Sequence, residues 1–242
     1  MKKSIAYSIL GMYMLLGCTT DIKLEPKKFT LYKKQCRAGS IEGCYATGLM
    51  YKKGLGTRKS YYRAKKAFQK ACNSKGGEEL SETVKKYRID ACNELGEFNA
   101  RGWGGRRSYV KAKKLFYRAC KNNHGKGCTN LGGLYRDGKG VRRSYIQSAA
   151  YFNKGCENGN TAGCYGIGLA YLTGQGVKHN YTKSKKFLTE ACDRKHALSC
   201  FNIGSLYENG HGLAEDNLKA KEYYQKSCDL GLKVGCLNQK RL

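Results

Sequence analysis

Small and apolar residues recur along this chain at three- and four-residue steps, in stretches cut by closely spaced glycines, and the same stretch returns at a fixed interval. One complete copy runs from Cys128 to its equivalent, Cys164, 36 residues on. The first cysteines of the five copies are Cys44, Cys92, Cys128, Cys164 and Cys200. Four residues further stand Gly48, Gly96, Gly132, Gly168 and Gly204; seven further stand Tyr51, Tyr135, Tyr171 and Tyr207, with Asn99 in the second copy. A Gly-x-Gly follows in every copy. Sixteen residues on come Ser60, Ser108, Ser144, Asn180 and Asp216; small residues and then aromatics follow at four-residue spacing, and a second cysteine closes each copy.

The pattern predicts two helices per copy. Helix A carries the first cysteine and the lone glycine, which costs about 1 kcal/mol against alanine in a helix and so points to close approach of a neighbouring helix. The Gly-x-Gly stops helix A and admits positive φ. Ser, Asn and Asp are preferred N-caps, so helix B starts at the sixteenth residue, and its small and aromatic residues four apart form the packing face. Gly39, Asn123, Gly159 and Gly231 suit a left-handed cap after helix B, and Lys195 breaks that column. Two such helices cannot bury their faces alone, but stacked pairs can.

The ends and one junction depart from the repeat. Residues 1–17 read as a signal peptide, with Lys2 and Lys3 before an apolar run, Ile5 to Leu16, too short to span a membrane. The Leu15-Leu16-Gly17-Cys18 ending is similar to a bacterial lipobox, so Cys18 is the expected lipidation site and residues 18–28 a lipid-anchored tether, on the outer membrane because Thr19 rather than Asp follows. Residues 29–242 are expected to form one solenoid domain: a capping half-repeat from Phe29, five repeats, and a second half-repeat from Cys228. Twelve extra residues separate Cys72 from Cys92, so 73–91 is an insert, with a loop at Gly76-Gly77 and a helix lengthened by about three turns from Ser81.

Thirteen cysteines are one lipobox Cys18 plus six pairs. With an export signal, the regular spacing argues for disulfides in an oxidising compartment. Each pair joins the end of a helix B to the start of the next helix A, which favours Cys36–Cys44, Cys72–Cys92, Cys120–Cys128, Cys156–Cys164, Cys192–Cys200 and Cys228–Cys236. The four histidines are scattered and no CxxC or HExxH occurs, so no metal and no cofactor is expected. The net charge is +28. Basic pairs precede the helix B cap in four copies: Arg58-Lys59, Arg106-Arg107, Arg142-Arg143 and Lys178-His179. Cations there oppose the helix dipole, so capping does not explain them. They should form a ladder along one edge, suited to an anionic surface; an exported protein is not expected to meet nucleic acid.

Five copies agreeing at these columns resemble the Sel-one-like repeat family, a relative of the tetratricopeptide repeat, and the cysteine pair in every copy resembles its Helicobacter cysteine-rich branch. The resemblance covers about Phe29 to Leu242. It implies an all-α, right-handed α/α solenoid of helix-turn-helix repeats, stapled by disulfides, with helix A lining a concave groove. The groove positions it implies are Tyr45, Lys52, Lys53, Asn93, Glu97, Arg101, Thr129, Arg136, Asp137, Tyr165, Phe201, Glu208 and Asn209. The function implied is an exported scaffold, periplasmic, surface-held or secreted, that binds a protein or peptide segment. The cysteine-rich branch also implies an alternative, a penicillin-binding protein or weak β-lactamase whose ligand mimics a cell-wall peptide. The residues give that alternative no machinery. The one SxxK, Ser108-Tyr109-Val110-Lys111, falls in the cap column, and no SDN or KTG follows. Enzymatic activity stays undecided and the catalytic residues unknown.

Overall fold

In a computed structural model, which describes residues 22, 24–75, 80–212 and 214–242, the described residues form twelve α-helices and no strand. A short 3-10 turn, Pro26–Lys28, leads into α1 (Phe29–Arg37). The helices A are α2 (Ile41–Lys53), α4 (Glu82–Arg101), α6 (Gly125–Asp137), α8 (Thr161–Thr173) and α10 (Ala197–Glu208). They alternate with helices B: α3 (Tyr61–Asn73), α5 (Tyr109–Lys121), α7 (Tyr145–Glu157), α9 (Tyr181–Asp193) and α11 (Asn217–Asp229), after which comes α12 (Lys233–Arg241). The expected signal peptide, Cys18 and the Gly76-Gly77 loop lie outside the described residues.

Every helix B starts where its cap residue predicts. The side chains of Ser60, Ser108, Ser144, Asn180 and Asp216 each accept the backbone N–H three residues on. The N–H of the same cap residue donates back to helix A, on the carbonyls of Tyr51, Asn99, Tyr135, Tyr171 and Tyr207, at 2.9–3.0 Å. The lone glycine of helix A is a seat for a large side chain of helix B in the same repeat, a ring in four copies and Leu188 in the fourth: a Cβ on Gly96 would come within 2.6 Å of the Phe116 ring, and one on Gly132 within 2.9 Å of Phe152. From the second repeat on, the second glycine of the turn lies against the start of the previous helix B, as Gly104 does on Tyr61 and Gly140 on Tyr109, and Gly56 lies against Pro26 and Phe29. The residue between the two glycines extends the contact. Trp103 stacks on Tyr61 at 4.8 Å and His211 on Tyr181 at 5.0 Å.

All six expected disulfides are present, with Cα–Cα separations of 4.3–4.8 Å. They join α1 to α2, α3 to α4, α5 to α6, α7 to α8, α9 to α10 and α11 to α12. Junctions between neighbouring helices are thus fixed alternately by a covalent bond and by a glycine seat with its backbone hydrogen bond. The core follows as a chain of separate clusters, each built around residues such as Phe68 and Phe98, Leu131 and Phe116, Ile167 and Phe152, or Leu188 and Ile203.

Two expectations need correction. The helix after the insert, α4, has 20 residues against 13 in α2, α6 and α8, so it is two turns longer and not three. Its start at Ser81 is as predicted, with Ser81 Oγ accepting from the Val84 N–H. Lys195 breaks the residue preference of its column but not its geometry. It has φ 63° and Asn123 φ 57°, the left-handed conformation that Gly39, Gly159 and Gly231 adopt.

Candidate functional site

Helices α4, α6 and α8 lie side by side and leave an open groove of about 600 Å³. The packing columns of each helix A turn inward, so the residues between them are left to line the groove. α4 contributes Glu97, Ala100 and Arg101; α6 contributes Lys126, Thr129, Asn130, Gly133, Arg136 and Asp137; α8 contributes Ala162, Tyr165, Leu169 and Thr173. Tyr109 and Tyr145, the first residues of α5 and α7, form one wall with Lys139 and Gln175 of the glycine turns.

Its electrostatics are set by pairs. Glu97 accepts from Lys126 at 2.6 Å and from Asn93, which in turn accepts from Asn130 at 3.0 Å. Burial raises the Glu97 carboxyl, but the Lys126 hydrogen bond and charge, with Lys52 nearby, outweigh it and hold the group below its ordinary range. Asp137 is likewise depressed: burial works against its charge, and the hydrogen bonds from Lys139 and Arg136 overcome it. Both acids are therefore neutralised locally. Arg101, exposed and stacked on Trp103 at 4.8 Å, has no carboxylate among its described contacts, and the groove carries excess positive charge.

Of the positions that the family resemblance implied for the groove, Glu97, Arg101, Thr129, Arg136, Asp137 and Tyr165 line it. Thr129 turns its hydroxyl toward Gly155 and Gly163, where that oxygen is buried without a partner. The other assigned positions lie beyond its walls. Lys52 pairs with Glu94 at 2.6 Å, and Asn93 is buried. Tyr45 is covered by Tyr87, stacked on it at 5.7 Å from the added turns of α4. At the other end Phe201 packs on Tyr224, and Glu208 accepts from Tyr224 and Arg241, both at 2.5 Å. Asn209 bonds back to the Ser205 carbonyl, and Lys53 is exposed at the end of α2. The two wall tyrosines were missed by sequence reasoning. Their signal is the column directly after the cap: Tyr61, Tyr109, Tyr145 and Tyr181.

Ser108 Oγ accepts the Lys111 N–H at 3.3 Å, the same capping bond that Ser60 and Ser144 make. Among the described residues, Cys156, Cys164 and Glu190 are the one cluster spaced for a metal, but those cysteines form a disulfide and offer no thiolate. His124 accepts from the Gly127 N–H through Nδ1 and so donates from Nε2 to Asp90 at 3.1 Å, a helix-capping role.

The family model of the Sel1 repeat matches residues 41–75, 89–124, 125–160, 161–196 and 197–232. A comparison with curated proteins returns no match. Among solved structures, a protective antigen present in uropathogenic Escherichia coli strains, displaying an SLR fold, is 26% identical with a TM-score of 0.74, over 87% of this chain and 42% of that one. The chain thus spans less than half the length of that protein. A Sel1 repeat protein from Oxalobacter formigenes is 21% identical with a TM-score of 0.71, over 87% of this chain and 83% of its own. Helicobacter pylori cysteine rich protein B is 28% identical with a TM-score of 0.42, over 52% of this chain and 98% of its own.

Proposed function

Because this chain belongs to the Sel1 repeat family, whose helix hairpins serve as interaction scaffolds, we propose that it is an exported, lipid-anchored scaffold that binds an extended segment of a protein partner in the groove over α4, α6 and α8. Six disulfides fit an oxidising, extracytoplasmic setting, and no helix among the described residues is long and apolar enough to cross a membrane. Anchorage through Cys18, at the periplasmic or outer face, follows from the lipobox reading alone.

The observation that carries the reading is an open groove whose walls are not consumed by packing. Three helices spaced by about 10 Å give it a length of roughly 20–30 Å. At about 3.3 Å per residue, an extended segment of some six to nine residues fills it. The side chains of Tyr109, Tyr145 and Tyr165 suit apolar groups of the segment, and Arg101 suits an acidic residue or a terminal carboxylate.

The test is a displayed peptide library selected on the purified protein. Ala162 is exposed on the groove wall, so Ala162→Arg fills the groove without touching the core. Selected peptides should bind this variant at least about tenfold more weakly, the equivalent of 1.4 kcal/mol. Unchanged binding refutes the groove. The alternative, β-lactam recognition, would put the drug in the same groove as a peptide mimic. Turnover of a chromogenic cephalosporin that survives Ser108→Ala and fails with Ala162→Arg is the result that would favour it.

A further inference from the structure

The edge where each helix B begins carries a row of side chains that the groove leaves unused. The second residue of helix B is apolar and exposed in four of the five repeats: Tyr62, Val110, Ile146 and Leu218 are 58%, 56%, 73% and 79% exposed. Four exposed large apolar residues at one repeat position are a pattern, where scattered ones need no explanation. The basic pair belongs to the same edge. Its second member is spent on structure, since Lys59, Arg107 and Arg143 lie over Tyr61, Tyr109 and Tyr145 at 4.9–5.7 Å and His179 meets Tyr181 edge-on. Its first member is not: Arg58, Arg106, Arg142 and Lys178 are exposed and form no ion pair with a described residue.

Repeat stacking interleaves the two rows. Gly104 backs onto Tyr61-Tyr62, Gly140 onto Tyr109-Val110 and Gly176 onto Tyr145-Ile146. The cation two residues after each of these glycines therefore stands beside the apolar residue of the repeat before it. The strip advances by about one helix diameter, roughly 10 Å, per repeat. It loses its charge in the fifth repeat, where Ala214-Glu215 replaces the basic pair.

We propose that this edge lies on an acidic phospholipid bilayer, with the first cation of each pair on headgroup phosphates and the apolar tips at the acyl boundary. A soluble polyanion would engage the cations and leave the apolar row in water. An apolar protein face would bury the cations unpaired. An anionic membrane surface satisfies both rows at once. The strip adjoins the groove wall at Tyr109 and Tyr145 but uses side chains that do not line the groove.

The experiment is sedimentation of the full chain with phosphatidylcholine vesicles and with mixed phosphatidylcholine–phosphatidylglycerol vesicles, at physiological salt. Because Ile5 to Leu16 can hold both kinds of vesicle, the readout is the ratio of the two partition constants. Each basic residue near an acidic surface contributes about a fivefold factor, so Arg58→Glu, Arg106→Glu, Arg142→Glu and Lys178→Glu together should cut the ratio by at least about tenfold. Val110→Ser with Ile146→Ser should weaken binding to the mixed vesicles severalfold and leave the salt dependence as it was. These positions are exposed, so thermal melting should be unchanged and selected peptides should still bind. An unaltered ratio in the charge variant overturns the proposal. So does charge-dependent binding to a soluble polyanion with no preference for the mixed vesicles and no effect of the serine variant.

Discussion

Two adjacent glycines on α6 face opposite consequences from the same substitution. Gly132→Ala puts a Cβ within 2.9 Å of the Phe152 ring. The gain of about 1 kcal/mol in helix propensity is outweighed by overpacking of typically 1–3 kcal/mol, so the melting temperature should fall. Gly133→Ala meets nothing within 4 Å and should raise stability by about 1 kcal/mol. Denaturant unfolding of the two variants checks both signs. Tyr224 offers a second test. Burial, then its hydrogen bond to Glu208, pushes its hydroxyl up to about 12, whereas that bond and Arg241 hold Glu208 below its usual 4.5. The Tyr224 contribution is complete below 10 and is lost as pH rises toward about 12; the Glu208 contribution is complete above 4.5 and is lost as pH falls through its depressed value. Tyr224→Phe should cost about 1 kcal/mol, remove the alkaline loss and shrink the acid one to the part that Arg241 maintains. The glycine column was legible because it recurs, and its cause was read as close approach. Gly133 lies one residue outside that column, where the other copies carry Leu49, Glu97, Leu169 and Ser205, and it faces the open groove.

Among the elements, α4 departs most from its siblings. Its added turns bring Tyr87 onto Tyr45, which hides the first groove position, and the sequence could not show this because Tyr87 belongs to no repeat column. Lys52, Asn93 and Glu208 escaped for a related reason. Each is spent on a partner in another helix, and such a pairing depends on how repeats stack rather than on periodicity within one. The helix starts were legible because each needs only its own cap. Lys52→Met should destabilise by about 1–3 kcal/mol, since it leaves the Glu94 carboxylate, 11% exposed, without its cation. A milder loss for Glu94→Gln with Lys52→Met together would identify the orphaned charge as the cause. The insert also lengthens one covalent loop. Removing Cys72–Cys92, separated by 20 positions, should cost about 3.3 kcal/mol, against about 2.6 kcal/mol for Cys156–Cys164, separated by 8. Paired serine variants compared by chemical unfolding give the difference.

On the scale of the whole molecule, stability is a sum of neighbour terms rather than the property of one core. The clusters pass from repeat to repeat, and among the described residues no disulfide reaches past the adjoining helix. The solenoid was legible at this scale because a recurring unit that cannot bury its own face leaves stacking as the outcome. The groove was legible as a surface, while positions at its two ends were taken up by packing, Tyr45 under Tyr87 of α4 and Phe201 and Glu208 on Tyr224 of α11.

The staggered cysteine bridges also bear on how such a chain can change in length. Excising residues 125–160, one matched unit, removes Cys128 and Cys156 and brings Cys120 to Cys164 with the same separation of 8. His124 would then cap α8 as it now caps α6. A gene could therefore gain or lose whole units by recombination, at any phase within the period, and never leave an unpaired thiol behind.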